Sequence, residues 1–507
     1  MSAEIPQVEL AVIGEDREAV VTGRCVPHPP TPLGPTSRPV NLFGVGWDLA
    51  ELLAKYDVPG AQVAVLADGE VRDEAAGVLS LRTQVETTTD SVFKVGSITK
   101  IWTATLIQQL VDDGVLDLDR PVRDYLPGFR LGDPAATKNL TARHLLTHTG
   151  GIDGNHFVDT GRNDDAIERF VAILAEAEHL LPPGTVFSYS NSGYVILGRL
   201  VEVLRGKPYH DVLRERLVTP LGLQTAAIDP YEAILHRAAV GHVHSGGGEV
   251  VPVKEWAVSY YAAPSGSHFA ISARELLEFV RLHLADPALA ALREPQLDDV
   301  PDFGGGVIGW GLGWMLYQDG VVGHTGVAKG QKAWLRVVPS AGVAVAVLTD
   351  SAGGEPLAYE TFEAVLGELA GVETSPRPAP PLNPAAIDAD RMCGTYRSTL
   401  HDITLTSEND RAFLPRRRVG EAGRGRTTQR QLDHHRRPRS LRPPGPVAGR
   451  LRRSWPRPLP AQRHRRLPDR LNVDDETGRG DADLTVVRGR GGGSRGGGAG
   501  ARLQVSQ

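Results

Sequence analysis

The sequence of 507 residues has almost no cysteine, which excludes two classes of scaffold. Cys25 and Cys393 are its only two cysteines, and two are too few for a disulfide framework. No C-x-x-C pair or Cys/His cluster that would indicate structural zinc is present. We also expect that the protein needs no other metal and no organic cofactor. A chain of this length needs no such staples, because a stretch of about 300 residues buries roughly 75% of its unfolded surface.

Long apolar runs are also missing. The longest, such as residues 343–348, fall far short of the roughly 18 residues that a membrane-spanning helix needs. The first residues, MSAEIPQVEL, lack a basic start followed by an apolar stretch, so no export signal is visible. We therefore expect no membrane span and, provided that the start codon is correct, a cytoplasmic location.

Lysine and aromatic residues nearly disappear in the last fifth of the chain. From residue 411 onward there are 24 arginines, no lysine and 8 acidic residues, a net charge of +16, whereas the preceding residues carry −22. Phe413 and Trp455 are the only aromatic residues in these 97 positions. A segment dominated by Arg, Gly and Pro cannot offset its ordering entropy by burial, so residues 411–507 are predicted to be disordered.

This Arg-rich tail allows three interpretations. We favour a reading-frame shift in a GC-rich gene, because the change in composition is abrupt. Residues 488–498, RGRGGGSRGGG, are also typical of segments that bind nucleic acid, and the positive tail could instead fold against the negative body. We do not expect a nucleic-acid partner. The G-x-S-x-G pattern around Ser494 is rejected as a nucleophile site, since no strand or helix is predicted there.

Two proline-rich stretches divide the chain. Residues 1–45 form an N-terminal extension that ends in a proline-rich linker, and residues 373–392 contain a second linker, PRPAPPLNP. The segment between them, residues 46–372, is predicted to be the catalytic domain. Residues 393–410, with CGTYRSTLHDITLT, are predicted to begin a small β domain with two strands.

The order of elements within residues 46–372 predicts an α/β fold. Strands come first, then a mostly helical region, then strands and a last helix, which indicates a sheet completed by both ends of the domain with a helical region inserted between them. The predicted strands are 61–67, 71–80, 91–95, 309–317, 321–326, 332–338 and 342–350. The predicted helices are 97–114, 165–177, 192–205, 209–217, 273–284 and 357–370.

Ser97 and Lys100 are the first candidate catalytic pair. A serine at a helix start and a lysine three residues later lie on the same face of the helix. A serine hydroxyl needs an adjacent base, and a lysine kept neutral by burial can supply it. The alternative is a helix-capping serine with a lysine that reaches solvent. Ser91 begins a second S-x-x-K match, but its neighbours alternate as in a strand.

Two further motifs offer polar groups to a cleft. Tyr189 and Asn191 point the same way if the segment is extended, and a tyrosine beside a lysine can act as a general base; a packed tyrosine followed by a helix-capping asparagine is the alternative. His324-Thr325-Gly326 ends a short strand whose edge could pair with the main chain of an extended substrate. The same tripeptide at 148–150 follows a helical run and is set aside.

The motifs S-x-x-K, Y-x-N and H-T-G occur in this order over about 230 residues. With them, and with FKVGSITK, RHLLTHTGGI, PPGTVFSYSNSGY, GWGLGW and GHTG, the chain resembles the serine β-lactamase and penicillin-binding-protein superfamily. The likeness is to its class C-like branch, which also holds DD-carboxypeptidases, D-aminopeptidases and carboxylesterases, and it covers about residues 46–370. It implies a β-lactamase/transpeptidase-like fold, an antiparallel sheet flanked by helices with an inserted helical subdomain.

The resemblance also implies a role for each motif residue. Ser97 would be the acylated nucleophile, with Lys100 and Tyr189 as the proton-transfer pair. Asn191 would contact an amide of the substrate, and His324, Thr325 and Gly326 would line the far wall of the cleft. The backbone N–H groups of Ser97 and Val327 would form the oxyanion hole.

One departure from the pattern guides the choice of substrate. Class C β-lactamases usually carry Lys-Thr-Gly where this chain has His324, and a histidine is largely neutral at pH 7. The chain should therefore bind a substrate carboxylate more weakly. We expect a serine hydrolase of ester or amide bonds in small molecules or peptides, and the weaker binding of a carboxylate favours carboxylesterase-like activity. The alternatives are a D-amino-acid-specific peptidase or DD-carboxypeptidase, a weak β-lactamase, or a non-catalytic penicillin-binding-like protein.

Overall fold

The computed structural model describes most of the chain between residues 45 and 374 and several short segments beyond it. The described residues are 45, 48–374 without 155, 246–247, 257–258, 299 and 302–304, then 393–397, 401–408, 411–413, 416–418, 484–486 and 503–505. The N-terminal extension and nearly all of the second linker lie outside this part of the chain. Among the described helices, none is both long and apolar enough to cross a membrane.

Seven of the strands between residues 48 and 374 form one antiparallel sheet. The strands are β1 (Gly60–Ala67), β2 (Glu70–Gly77), β3 (Phe93–Lys94), β4 (His242–His244), β5 (Val250–Pro252), β6 (Ala270–Ile271), β7 (Gly309–Trp310), β8 (Met315–Leu316), β9 (Val322–Ala328), β10 (Gln331–Val338) and β11 (Val343–Thr349). The sheet order is β2-β1-β11-β10-β9-β8-β7, and β3 pairs with β6 and β4 with β5 outside it.

The helices lie between β3 and β7 and at the two ends of the domain. They are α1 (Leu49–Tyr56), α2 (Thr99–Asp112), α3 (Val122–Tyr125), α4 (Pro134–Asn139), α5 (Ala142–Leu146), α6 (Ala166–Ile173), α7 (Asn191–Arg205), α8 (Tyr209–Leu213), α9 (Pro230–Ala233), α10 (Ala273–Ala285), α11 (Pro287–Ala290) and α12 (Glu355–Ala370). Short 3₁₀ turns occur at Gly96–Ile98, Tyr260–Ser265, Ala291–Arg293 and Gln318–Gly320, and a π-helical turn at Arg214–Val218 continues α8.

The predicted closure of the sheet by both ends of the domain is confirmed. β1 pairs antiparallel with β11 over six residue pairs, from Ala61 with Thr349 to Leu66 with Ala344. Both strands are buried along their whole length, because helices cover both faces of the sheet. Alternate residues of β11 enter two separate cores, which explains why its sequence is a continuous apolar run rather than an alternating one.

The hairpin predicted at Asp68 and Gly69 is present. Both residues have positive φ, 51° and 74°, as a two-residue hairpin turn requires. The predicted helices are confirmed within a few residues at their ends, although the helix predicted at 165–177 ends at Ile173.

One strand prediction was wrong. Residues 309–317 form two short paired strands, β7 and β8, rather than one. Gly313 lies in the turn between them with φ of 88°, a conformation that breaks a strand and that only glycine adopts freely.

The predicted small β segment contains its two strands, β12 (Gly394–Arg397) and β13 (His401–Glu408), paired antiparallel. β14 (Arg411–Phe413) and β15 (Arg416–Arg418) also pair with β13, so the pairing continues past the predicted boundary at residue 410. β16 (Leu484–Val486) and β17 (Leu503–Val505) form a separate pair. The rest of residues 411–507, and with it the prediction of disorder, lies outside the described part of the chain.

Asp350 joins the end of β11 to the start of β1, two neighbouring strands inside the sheet. It follows β11, is fully buried, and its Oδ1 accepts a hydrogen bond of 2.8 Å from the backbone N–H of Gly60. His242 is also fully buried, and its Nδ1 lies 2.9 Å from the carbonyl oxygen of Asp350 and 3.3 Å from its Oδ2. Burial raises the pKa of the Asp350 carboxyl to about 6, although the hydrogen bond from His242 opposes the rise.

This raised pKa predicts a pH-dependent loss of stability. The folded state holds the proton of Asp350 more tightly than the unfolded state, so stability falls as pH rises from about 4 to about 6. A pKa difference of roughly two between the folded and unfolded states changes the free energy of unfolding by on the order of 3 kcal/mol. We expect the free energy of unfolding of Asp350→Asn, relative to wild type, to improve by about that amount between pH 4 and pH 7 in denaturant titrations. A difference that is constant with pH would contradict this assignment.

Candidate active site

Ser97 lies in the 3₁₀ turn Gly96–Ile98, which leads directly into α2. The sequence predicted it at the start of an α-helix, but neither end of this turn has a side-chain cap, so the helix-capping alternative is not what the structure shows. Gly96 has φ of 51°, and a Cβ there would lie 2.6 Å from the backbone nitrogen of Val327. The turn thus brings the backbone around Ser97 against β9, and the Ser97 side chain remains partly exposed.

Lys100 lies one turn further on, inside a helix that is buried on nearly all sides. Eleven of the fourteen residues of α2 are buried, and Lys100 is fully buried. Its Nζ lies 2.9 Å from Ser97 Oγ, 2.8 Å from Asn191 Oδ1 and 2.8 Å from the carbonyl oxygen of Ser265. All three partners are uncharged, and burial lowers the pKa of Lys100 well below its usual value.

These contacts determine what a neutral Lys100 can do. A neutral amine has two N–H donors and one lone pair. The oxygens of Asn191 and Ser265 can act only as acceptors, so they take the two N–H groups. The lone pair is left for the hydroxyl of Ser97, which then donates its proton toward Nζ.

Tyr189 and Asn191 face the same amine, as the extended spacing predicted. Lys100 Nζ lies 4.9 Å from the centroid of the Tyr189 ring, and Tyr189 also hydrogen-bonds with Ser97. Burial raises the pKa of the phenol and the bond with Ser97 lowers it; part of the side chain is exposed, and solvent there moderates the rise. A raised pKa keeps Tyr189 protonated, which favours Lys100 over Tyr189 as the base.

Asn191 begins α7 but does not cap it. The capping residue is Ser190, whose Oγ accepts a hydrogen bond of 3.1 Å from the backbone N–H of Gly193. Since the Oδ1 of Asn191 is taken by Lys100, its amide nitrogen is the group left to donate to a substrate carbonyl.

The His324-Thr325-Gly326 segment lies on β9, opposite the turn that carries Ser97. The pairing of β9 with β8 ends at Gly323, so β8 does not cover the next residues. A Cβ on Gly326 would lie 1.9 Å from the carbonyl oxygen of Val95 and 3.2 Å from the backbone nitrogen of Ser97. Glycine therefore allows β9 to approach Ser97, and Val327 beside it is 40% exposed.

His324 is fully buried and neutral. Its Nδ1 lies 2.7 Å from the carbonyl oxygen of Thr325 and therefore donates to it. Burial is the main reason that the pKa of His324 falls to about 3, and the nearby Lys100 lowers it further. At neutral pH this position offers no positive charge to a substrate.

Two residues of the site were missed from the sequence. Ser265 contributes only its backbone carbonyl, which no side-chain pattern can reveal. His148, from the H-T-G tripeptide that was set aside, lies with its ring centroid 4.2 Å from that of Tyr189, and His324 lies 6.5 Å from Tyr189 on the same measure. Both copies of the tripeptide thus place a histidine beside Tyr189.

Two other serines were considered from the sequence, Ser91 and Ser494. Ser91 is fully buried, and its Oγ accepts a hydrogen bond of 2.9 Å from the backbone N–H of Thr88. Ser494 lies outside the described residues. In the part of the chain that the structure describes, no three His, Cys, Asp or Glu side chains converge as metal ligands would.

Comparison with known proteins shows the family to which the chain belongs. The Beta-lactamase family model matches residues 48–369. Penicillin-binding protein 4 of Amycolatopsis lactamdurans is 42% identical over 360 residues, which are 68% of this chain and 94% of that protein.

Solved structures of related proteins share the fold. The crystal structure of SurE with D-Leu is 32% identical, with a TM-score of 0.57 over 73% of this chain and 85% of SurE. The D-amino acid amidase of Ochrobactrum anthropi SV3, solved with D-phenylalanine, is 23% identical, with a TM-score of 0.52 over 60% of this chain and 90% of the amidase; at that identity the likeness concerns the fold alone. The chain belongs to the Beta-lactamase family, as a penicillin-binding-protein homologue with the β-lactamase/transpeptidase-like fold.

Proposed function

We propose that this protein is a serine hydrolase that acts through an acyl-enzyme on Ser97. The observation that carries the proposal is the position of the Lys100 amine, buried and 2.9 Å from Ser97 Oγ. A serine nucleophile needs a base within hydrogen-bond reach that is neutral at working pH, and burial supplies that condition here. Membership of the family supports a hydrolase of small-molecule substrates.

The proposed reaction has two proton-balanced halves. Ser97 Oγ attacks the substrate carbonyl while its proton passes to Lys100 Nζ, and the backbone N–H groups of Ser97 and Val327 receive the oxyanion. The bond to the leaving group then breaks, and that group takes the proton by way of the Tyr189 hydroxyl. In the second half water gives a proton to Lys100 and attacks the acyl carbon, and Ser97 Oγ leaves and takes that proton back.

The charge of the site favours an uncharged acyl donor. A carboxylate beside the scissile bond would meet neutral His324 rather than a lysine, and would gain no charge-assisted hydrogen bond there. An ester also needs less help for its leaving group than an amide does. A carboxylesterase-like activity on small neutral esters is therefore our first candidate.

A D-amino-acyl ester or amide is the second candidate. The structure of SurE, 32% identical over most of both chains, was solved with D-Leu, and β9 beyond Gly323 could hold a short peptide as an added strand. Hydrolysis of D- and L-alanine p-nitrophenyl esters, compared with p-nitrophenyl butyrate, separates the two candidates. Strong preference for the D-alanyl ester would favour the second.

Replacement of the nucleophile is the first test. We expect Ser97→Ala to abolish turnover of p-nitrophenyl esters and labelling by a fluorophosphonate, because no other hydroxyl contacts the Lys100 amine in the described part of the chain. The effect on folding should be small, since the hydroxyl caps no helix. Intact-mass and peptide mapping of the labelled wild type should place the adduct on Ser97. Ser91→Ala is the matched control and should label normally; an adduct elsewhere would refute the assignment.

The protonation state of Lys100 gives a second test. Burial lowers the pKa of Lys100 and so favours its neutral, basic form. We therefore expect kcat/KM to stay at its maximum well below pH 10.5 and to fall as acid protonates the amine. Lys100→Arg keeps the length and positive charge but cannot lose its proton at these pH values. We expect that variant to lose at least about 100-fold in kcat, at the lower end of the range for general base catalysis. A Lys100→Arg protein with near-normal kcat would show that Lys100 serves only as a cation.

His324→Lys tests the substrate charge. A lysine should improve kcat/KM for a chromogenic cephalosporin, which carries a carboxylate, by about 1–2 kcal/mol, the scale of a charge-assisted hydrogen bond. The rate with a neutral ester should change little. His324→Gln, uncharged and polar, is the control and should leave the ratio of the two substrates near that of wild type. A wild-type preference for the cephalosporin would contradict the esterase proposal.

A further inference from the structure

His148 has an unusual backbone conformation for a residue so deeply buried. Its φ is 56°, in the left-handed region, and only 1% of its surface is exposed. A non-glycine residue held there costs on the order of 1 kcal/mol, and such residues concentrate where strain serves a function. The backbone and the side chain of His148 each hold another part of the chain in place.

His148 bonds the chain on both sides of Tyr189. Its carbonyl oxygen accepts a hydrogen bond of 2.7 Å from the backbone N–H of Ser188. Its Nδ1 accepts another, of 3.0 Å, from the backbone N–H of Ser190. His148 therefore holds the backbone on both sides of Tyr189. Its imidazole accepts a hydrogen bond that a neighbouring strand would accept in a sheet.

The imidazole itself is fixed by the rings around it. Its centroid lies 4.2 Å from that of Tyr189, 4.9 Å from Trp310, 5.2 Å from Tyr194 and 5.8 Å from Phe187. Tyr194 Oη and Trp310 Nε1 each donate to the carbonyl oxygen of Leu146, both at 3.2 Å. The rings that pack around His148 are thereby tied to the segment that carries it.

We propose that His148 is a positioning residue for Tyr189, and that it acts through the hydrogen bond from Ser190 N–H to its Nδ1. The inference rests on the proposed function, in which Tyr189 passes the proton to the leaving group. A phenol on an otherwise irregular segment would sample several positions. The two bonds from His148 hold the backbone on each side of it, so the hydroxyl stays within reach of Ser97.

The acceptor role requires a neutral imidazole with its proton on Nε2, because Nδ1 faces an N–H donor. Burial, with contributions from Lys100 and His324, lowers the pKa of His148 well below its usual value. The bond from Ser190 is therefore kept throughout the neutral pH range.

Three substitutions separate the acceptor from the backbone strain and from the packing. His148→Asn keeps an acceptor on Cγ, where Nδ1 stands, and asparagine tolerates the left-handed conformation. His148→Leu fills space without an acceptor. His148→Gly removes the side chain and relieves the strain, so it remains informative if the leucine variant fails to fold.

We expect kcat with a p-nitrophenyl ester to fall about 10- to 100-fold in His148→Leu and His148→Gly, the scale of a displaced catalytic group, with KM within about threefold of wild type. Hydrogen exchange of peptides covering residues 186–191 should accelerate in both. His148→Asn should restore both the rate and the protection to within about threefold.

His283→Leu is the matched control. His283 is also about 1% exposed, and its Nε2 lies 2.9 Å from Thr105 Oγ1. Its ring contacts are with Phe279 and Trp314, which are not part of the Tyr189 segment. Its loss should leave kcat and exchange at 186–191 unchanged.

Two results would overturn the inference. A rate for His148→Asn as low as that for the leucine variant would show that the acceptor is not what matters. Accelerated exchange with an unchanged kcat would show that the segment is held but that its position does not limit the reaction. If Ser97→Ala kept its turnover, the proposed function would fall instead, while hydrogen exchange would still report whether His148 holds the segment.

Discussion

The arrangement of the site depends on one buried amine. Burial lowers the pKa of Lys100, and none of its three hydrogen-bond partners is a carboxylate that would oppose this. Two of these partners, Asn191 Oδ1 and the carbonyl oxygen of Ser265, come from segments far from α2 in sequence. The helical region thus does more than cover the sheet: it excludes water from the amine and uses up its two N–H groups.

The same neutrality extends to the groups around the amine. Tyr189 has a raised pKa, while the pKa values of His148 and His324 are lowered. Burial thus disfavours the charged form of each of these four groups. The neutral histidine at position 324 fits this arrangement, because a cation there would lower the pKa of Lys100 further.

Sequence reasoning reached the residues whose chemistry lies in local spacing. Ser97 and Lys100 are three residues apart on one helical turn, and Tyr189 and Asn191 are two apart on an extended segment, so spacing alone could predict that the members of each pair face the same way. That the two pairs meet was an expectation from the family resemblance. Ser265 could not, because a carbonyl oxygen has no signature. His148 was set aside since its tripeptide follows a helix, yet the return of the chain at 182–190 brings it to Tyr189. The break between β7 and β8 was missed because Trp310, Leu312 and Trp314 continue the apolar pattern through the turn.

The closure of the sheet by both ends of the domain also has a consequence during synthesis. Ser97 is made roughly 250 residues before β11 is complete, which at ordinary ribosomal rates is about 10 to 50 seconds. Until β9 and β11 are present, no strand stands opposite Ser97 and β1 lacks its central partner. During that time Ser97 belongs to an unfinished domain, without the backbone of β9 opposite it. The topology itself delays completion of the site around Ser97 until almost the whole domain has been made.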